Sequence, residues 1–544
     1  MSNCPRYAVL LSVIAMLLVS AMTARTEELH NLEILFRKTY DEKSDSIYFF
    51  GEDISGVGDV NRDGYEDFAA TGWEYDLGWR CRVFVFLGGT TFDTIPDAVL
   101  RDDYGGGSPW ASLAGGDVNG DGFSDVVVGL PYGPGNVDIY FGGDPMDTIV
   151  DLTLYENPPE WDFGCAVATG DINGDGYCDI VAGDYMKDGR GAVYVYYGGP
   201  LLDNLPDIRL SGHGSEGFGL SVASGGDVNS DGYDDVVVGA WANSDLFYLS
   251  GAIYVYYGGN PMDTVFDVRV YGEGIEHCLG LGGVTTCRNQ SAYDYVAAGT
   301  PFWPDGFPIT GPGKLYVLFG GDPMDGVPDL LMYGTTSNSG LGEWTRYAGD
   351  INGDGYGDLI CGAATENPWG IAYIWLGGAT MDDTPDASMR GDSMHASVGF
   401  RVASAGDVDG DGRDEVMVSH YPSSSTWHSV WVCKYTGTGV SEEHHAVSVA
   451  PSRWRITCLP NPFRESTTIR VISRVPGPLH LGAEARVSIR DVSGRLVREM
   501  RLMPESSEVV WDGRDEHETL VPPGTYFVKV NDIESLPHKV ILLR

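Results

Sequence analysis

The chain has 544 residues, too many for one ordinary domain. It carries 34 Lys+Arg against 78 Asp+Glu, a formal net charge of −44, which argues against nucleic-acid binding and against a polybasic membrane anchor. Hydrophobic residues at 43% argue against disorder, and 75 glycines without a collagen period suggest many tight turns between short strands.

The N-terminus reads as a secretory signal. Arg6 precedes an apolar run from Val9 to Met22, and small residues follow it. Residues 1–25 are expected to be removed on export. The run is short for a membrane span. Eight of the nine cysteines lie beyond it. Export permits disulfides, and Cys278 with Cys287 is one candidate pair. Buried free thiols are the other reading.

One acidic motif then recurs. It stands at Asp59-Asn61-Asp63-Gly64-Asp67, Asp117-Asn119-Asp121-Gly122-Asp125 and Asp171-Asn173-Asp175-Gly176-Asp179. It returns at Asp227-Asn229-Asp231-Gly232-Asp235, Asp350-Asn352-Asp354-Gly355-Asp358 and Asp407-Asp409-Asp411-Gly412-Glu415. Successive starts are 58, 54, 56, 123 and 57 residues apart. The long gap is two periods, with a degenerate copy around Thr286 to Asp294. Seven units result.

Each unit has one layout, clearest in the fourth. Phe218–Ser224 is a short strand, and the acidic loop follows it. Asp235–Ala240 is a second strand, apolar on both faces. Gly251–Gly259 holds a third and Phe266–Tyr271 a more polar fourth. Four graded strands repeated at this period predict a β-propeller of seven blades. Leu32–Lys38 precedes the first unit, and the seventh ends at its third strand. The N-terminal segment is therefore expected to complete blade seven, protecting a sheet edge.

The run Phe-Gly, Gly-Asp-Val-Asn-x-Asp-Gly-x-x-Asp, Val-Val-Gly-Ala resembles the FG-GAP repeat of integrin α-subunit propellers. The resemblance spans about residues 30–437. It implies the propeller fold and says little about ligand.

Asp, Asn and Asp at positions 1, 3 and 5 converge when such a loop curls, and Gly at position 6 permits the sharp turn. A carboxylate at position 9 and a carbonyl at position 7 complete a shell of hard oxygens, which suits Ca²⁺. An EF-hand is excluded because position 12 is apolar, as at Val128, Ala182 and Val238. About six Ca²⁺ sites are expected, with a structural role. Glu415, longer than Asp, sets the last copy apart.

Strands alternate in direction, so the acidic loops share one face with the 3–4 loops. The opposite face carries the variable 2–3 loops, with Trp73, Trp79, Trp241, Trp303, Trp369 and Trp427. These aromatics are candidates for stacking on sugar rings or anchoring a protein partner. Packing as loop anchors is the alternative. Arg390-Gly391-Asp392 is an RGD tripeptide, but Gly391 occupies the repeat position of Gly212 and Gly272. Glu74, Asp76, Asp184, Asp188, Asp305 and Glu366 are the upper-loop carboxylates from which an acid/base pair could be drawn. No nucleophile motif is present.

The charge changes toward the C-terminus. Residues 451–544 hold 14 Lys+Arg and 12 Asp+Glu, a net of +2, so the whole net negative charge lies before them. A polar linker is expected over 438–458. Strands over 468–472, 485–490, 495–498, 509–511, 524–530 and 539–543 predict a small β-sandwich over 459–544. Pro-Asn-Pro-Phe463, Trp511-Asp-Gly-Arg-Asp515 and Pro523-Gly-Thr-Tyr526 resemble the Ig-like domain of flagellar hook-capping proteins and the sorting domain of type IX secretion cargo. That resemblance implies contact with outer-membrane secretion machinery and a bacterial cell-surface location.

The sequence thus predicts an all-β chain: a seven-bladed β-propeller over 26–437 and an Ig-like β-sandwich. It reads as a non-enzymatic, calcium-binding adhesion or recognition module, monomeric, for a glycan or an extracellular protein. A structural envelope component and a polysaccharide-degrading enzyme are the alternatives.

Overall fold

The computed structural model describes residues 28–75, 79–101, 110–131, 135–155, 162–289, 293–303, 311–366, 369–378, 381–391, 397–420, 427–437, 454–459, 466–473, 486–491, 495–502, 508–517, 519–522, 524–530 and 538–542. The signal read at 1–25, most of the linker, Asp76, Asp305 and Asp392 lie outside the described residues. The chain divides into two compact units, Met1–Gly439 and Val440–Arg544.

The first unit is a seven-bladed β-propeller of antiparallel sheets. Blade 4 shows the pattern. Its strands are Phe218–Gly226, Asp235–Ala240, Ala252–Tyr256 and Val268–Tyr271, paired in that order. The second strand is buried throughout because a neighbouring blade covers each face. Val181 and Val193 of blade 3 thus share one apolar cluster with Val236 and Val238 of blade 4. The first strands contact one another round a closed circle, with that of blade 7, Val398–Gly406, against Ile54–Gly58 of blade 1.

The ring closes as expected. Leu32–Asp41 pairs antiparallel with Trp427–Tyr435 and forms the fourth strand of blade 7. Glu28–His30 adds a fifth strand to the outer edge of blade 6, beside Ala387–Arg390. That addition was not expected. The N-terminal segment therefore ties two blades together.

The glycines of the repeat set how closely blades approach. Gly362, in the second strand of blade 6, faces Gly399 at the start of blade 7. A Cβ on Gly362 would lie 1.9 Å from the Gly399 carbonyl oxygen, and Gly399 itself has φ +84°. Any side chain on Gly362 forces the two blades apart.

The second unit is a small Ig-like β-sandwich. One sheet holds Trp454–Leu459, Thr467–Ser473 and Glu508–Trp511; the other holds Leu496–Arg501, Arg486–Asp491, Gly524–Val530 and His538–Leu542. Trp511 is fully buried and meets Tyr526 edge-on at 5.1 Å. The strand Trp454–Leu459 occupies the end of the stretch read as linker. Its alternating Trp-Arg-Ile-Thr-Cys-Leu sequence carries the strand period.

The candidate Cys278–Cys287 pair does not form, and the reading of buried free thiols holds for both. Cys361 is a buried free thiol as well. Cys287 ends the strand Val284–Cys287, whereas Cys278 lies in the turn that leads to its start. The strand holds them apart.

Gly362→Ala is expected to cost about 3 kcal/mol through the clash across the blade junction. Gly412→Ala adds a Cβ that meets nothing within 4 Å, so only its φ of +85° is penalised, at about 1 kcal/mol. Urea midpoints of the two variants test this; equal midpoints would remove the close-approach argument.

Candidate metal centres

Each acidic loop joins the first strand of its blade to the second. The curl is built from its own carboxylates. In blade 1, Asp59 accepts the N–H groups of Asp63 at 3.1 Å and Gly64 at 2.9 Å. Asn61 Oδ1 accepts the Asp63 N–H at 2.9 Å, and Asp63 accepts that of Tyr65 at 3.0 Å. The same bonds recur around Asp117, Asn119 and Asp121, around Asp171, Asn173 and Asp175, around Asp227, Asn229 and Asp231, and around Asp350, Asn352 and Asp354. Positions 1, 3 and 5 are thereby brought together.

Position 9 is the buried anchor. Asp67 accepts the N–H of Val60 at 2.8 Å on one oxygen and that of Gly88 at 2.7 Å on the other. Asp125, Asp179, Asp235 and Asp358 hold the equivalent pairs. Each oxygen keeps a second lone pair for another donor or a cation. Burial pushes the carboxyls of Asp67, Asp125 and Asp179 up to about 7 and that of Asp235 up to about 8. The backbone donors oppose this shift; the loop's other carboxylates add to it.

The donor set fits a hard divalent cation. Every side chain offers oxygen, and the charges in each loop repel one another. Asp, Asn, Asp and the buried Asp of these five loops are the residues that would hold it.

Two blades depart. In blade 5, Tyr295 takes the place of the ninth residue, and its hydroxyl donates to the Gly357 carbonyl at 2.8 Å. Arg288 reaches back to Asp234 of blade 4 at 3.2 Å. In blade 7, Asp407, Asp409 and Glu415 bring one oxygen each within 4.8 Å of one another. The Lys434 ammonium touches Asp409 and lies 2.6 Å from Asp411.

The loops also join the blades, through a position that the sequence reading passed over. The residue at position 8 donates its N–H to the carbonyl of position 1 in the preceding blade. These bonds are Ser124 to Asp59 at 2.9 Å, Cys178 to Asp117 at 3.0 Å, Asp234 to Asp171 at 2.9 Å and Asp294 to Asp227 at 3.1 Å. Asp414 to Asp350 at 3.2 Å and Glu66 to Asp407 at 3.3 Å continue the series. Gly357 to Asn289 Oδ1, at 3.3 Å, completes the circuit. The Asp234, Asp294 and Asp414 carboxylates also accept the N–H of position 1 in the blade before. The recurrence of acid at position 8 was the available signal.

On the opposite face the six tryptophans separate. Trp73 is 2% exposed within the core of blade 1 and presents no ring face, which corrects its reading as a ligand contact. Its strand continues past the expected loop start, to Tyr75. Trp79 packs between Tyr48 and Tyr75, with ring centres at 5.2 and 5.1 Å. Trp303 lies 5.0 Å from Tyr333, and Trp241 and Trp369 are half-buried. Trp427 is 54% exposed, and Trp110, Tyr75 and Tyr248 join it at the surface. Gly391 donates to the Gly370 carbonyl as Gly212 does to Gly191, so the Arg390-Gly391 step is part of the repeat.

The upper carboxylates are engaged. Glu74 pairs with Arg82 at 2.6 Å, and Asp188 with Arg209 at 2.7 Å. Buried Glu366 accepts hydroxyls from Ser339 at 2.6 Å and Tyr373 at 2.9 Å. Asp184 is fully buried.

Comparison with known proteins agrees with this geometry. A model of the FG-GAP-like repeat matches residues 171–238, and the FG-GAP repeat matches 109–141 and 347–375. The FlgD Ig-like domain matches 479–535. The chain carries FG-GAP repeats with integrin α homology, followed by a FlgD Ig-like domain. Integrin alpha-7 of Rattus norvegicus is 36% identical over 224 residues, which is 39% of this chain and 19% of that protein. Integrin alpha pat-2 of Caenorhabditis briggsae is 29% identical over 294 residues, 52% of this chain and 20% of that protein. Integrin alpha-6 of Gallus gallus is 42% identical over 109 residues, 19% and 10% respectively. The chain thus spans a fifth or less of these relatives.

The raised carboxyls make a pH prediction. Without a cation they titrate near 7–8 when folded, against about 3.9 when unfolded. Folding then takes up protons, so this contribution to stability is largest at low pH and falls as pH rises through 7–8. In EDTA the melting temperature is expected to fall between pH 5.5 and 8.5. A rise across that range would show that the loop carboxylates do not control stability.

Proposed function

We propose that this chain is a secreted or cell-surface propeller, stabilised by calcium, that recognises a glycan or protein through the face opposite its acidic loops. The carrying observation is the surface of that face, where Tyr75, Trp110, Tyr248 and Trp427 are all more than half exposed. Flat aromatic faces with polar edges suit sugar rings and partner surfaces alike. The FG-GAP repeats support an extracellular setting and a non-catalytic scaffold. The engagement of Glu74, Asp188 and Glu366 in ion pairs and hydrogen bonds favours recognition over hydrolysis.

Calcium is the proposed ion of the acidic loops. Their donors are oxygen throughout, and an extracellular module fills sites with dissociation constants of roughly 10⁻⁴–10⁻³ M. The proposed monomer consists of the propeller over 26–437 and the Ig-like domain over 459–544. The latter is the proposed element for outer-membrane secretion, on its likeness to FlgD and to sorting domains.

Two measurements test the reading. Calcium is expected to raise the melting temperature by several degrees over EDTA, and an unchanged melt removes the metal assignment. The full mature chain, in calcium, is then incubated with a panel of polysaccharides, scoring retention and new reducing ends. Retention without cleavage, lost in Tyr75→Ala/Trp110→Ala/Trp427→Ala, is expected for a glycan ligand. New reducing ends would overturn the non-enzymatic reading. Absence of both would direct the search to a protein ligand.

A further inference from the structure

The seventh acidic loop differs from the five regular ones in a coordinated way. Asp409 stands where the others have Asn, and Glu415 stands where they have Asp. A third difference lies outside the loop, on the third strand. Cys433 pairs with Val416 in blade 7. Phe86 with Phe68, Tyr140 with Val126, Tyr196 with Ile180 and Tyr256 with Val236 are the same register in blades 1 to 4. Leu318 with Val296 and Trp375 with Leu359 extend it to blades 5 and 6. The next residue along is Leu87, Phe141, Tyr197, Tyr257, Phe319 or Leu376 in those six blades. In blade 7 it is Lys434.

Its ammonium enters the loop. It touches Asp409 Oδ2, lies 2.6 Å from Asp411 Oδ2 and reaches 4.0 Å from Glu415 Oε1. These are positions 3, 5 and 9, the set whose oxygens hold a cation in the calcium reading. In the other loops the Asn amide donates to the Asp at position 5, as Asn61 does to Asp63 at 2.9 Å. Asp409 has no such donor, and Lys434 bridges the two carboxylates instead. The ammonium offsets the one negative charge that Asp409 adds over Asn.

The closure of the ring explains how a lysine comes to stand here. In blades 1 to 6 the third strand runs into a Gly that opens the 3–4 hairpin, and in the regular blades its N–H binds the ninth residue, as Gly88 binds Asp67. In blade 7 that place is Tyr435, and Leu32–Asp41 supplies the fourth strand from the other end of the chain. Glu415 receives one backbone donor, from Val408 at 3.0 Å, and its Oε1 is buried with no hydrogen bond. The Lys434 ammonium is the cation facing that oxygen.

We propose that Lys434 is a tethered cation that takes the place of calcium in the seventh loop, so that the blade joining the two ends of the propeller forms without metal. The proposal rests on the calcium reading of the other loops. A divalent ion and the ammonium cannot share these oxygens, because like charges would stand within bonding distance of the same carboxylates. The mature chain therefore binds five calcium ions rather than the six that the loop motifs predict.

Equilibrium dialysis of the full mature chain against Ca²⁺, with metal and protein both quantified, tests this. The wild type is expected to hold five ions and Asp354→Ala four. Asp411→Ala is expected to remain at five, because the loop it alters holds none. Lys434→Leu, which installs the residue of blades 1 and 6, is expected to hold six, with a melting temperature lowered in EDTA and restored by calcium. A wild-type count of six that falls to five in Asp411→Ala overturns the proposal and leaves the calcium reading intact. A Lys434→Leu count that stays at five overturns the role of Lys434. Should that variant not fold, the Asp411→Ala count decides alone. A wild type that binds no calcium removes the calcium reading itself.

Discussion

The acidic loops hold together both the strands within a blade and the blades within the ring. The position-1 aspartate accepts N–H groups from its own turn, while its carbonyl accepts the position-8 N–H of the next blade, as from Ser124 to Asp59 and from Cys178 to Asp117. The circuit runs through all seven blades. In six of the seven blades the same loops carry a buried carboxylate at position 9, and burying carboxylates is unfavourable unless donors or a cation compensate. Two backbone N–H groups compensate in part. The upward shift at Asp67, Asp125, Asp179 and Asp235 shows the remainder, which a bound cation would meet. A bound cation and the architecture would be coupled, because the same side chains would serve both.

The two irregular blades bring cations of their own to the same face. Arg288 of blade 5 lies against Gly225 and Asp234 of blade 4, and Lys434 lies within the loop of blade 7. Blade 7 is also the one built from both ends of the propeller sequence. Its fourth strand is separated from its third by nearly 400 residues of chain, so its closure carries the largest loop-closure entropy. A covalently attached cation is present there at any calcium concentration. Further strand pairing by Glu28–His30 on blade 6 reinforces the same junction.

The opposite face is organised differently. There the blades meet through paired glycines, as at Gly362 and Gly399, and the loops vary from blade to blade. Its carboxylates are taken up by Arg82, Arg209 and the hydroxyls around Glu366. The aromatics divide into those that anchor loops, such as Trp79 and Trp303, and those left at the surface, such as Trp110 and Trp427. A rigid ring with a constant lower face thus supports a variable upper one, which suits recognition.

Much of this architecture was legible in the residues alone. The Asp-x-Asn-x-Asp-Gly spacing, the buried Val-Val-Val runs and the unpaired strand at Leu32 specified seven blades and their closure, because local turn chemistry and strand period are written in adjacent residues. The C-terminal strands were legible for the same reason, apart from Trp454–Leu459, whose short alternation was submerged in a polar stretch. What the sequence could not reveal depends on residues far apart in the chain. Trp73 and Trp427 are the same residue type at the two ends of 2–3 connections, yet packing buries one and leaves the other exposed. Cys278 and Cys287 are close in sequence but are held apart by a strand. Lys434 meets Asp409 and Asp411 only once the third strand is in register with the second. Period and turn type follow from nearest neighbours along the chain; burial and charge pairing follow from packing between strands and blades, and these only the tertiary structure decided.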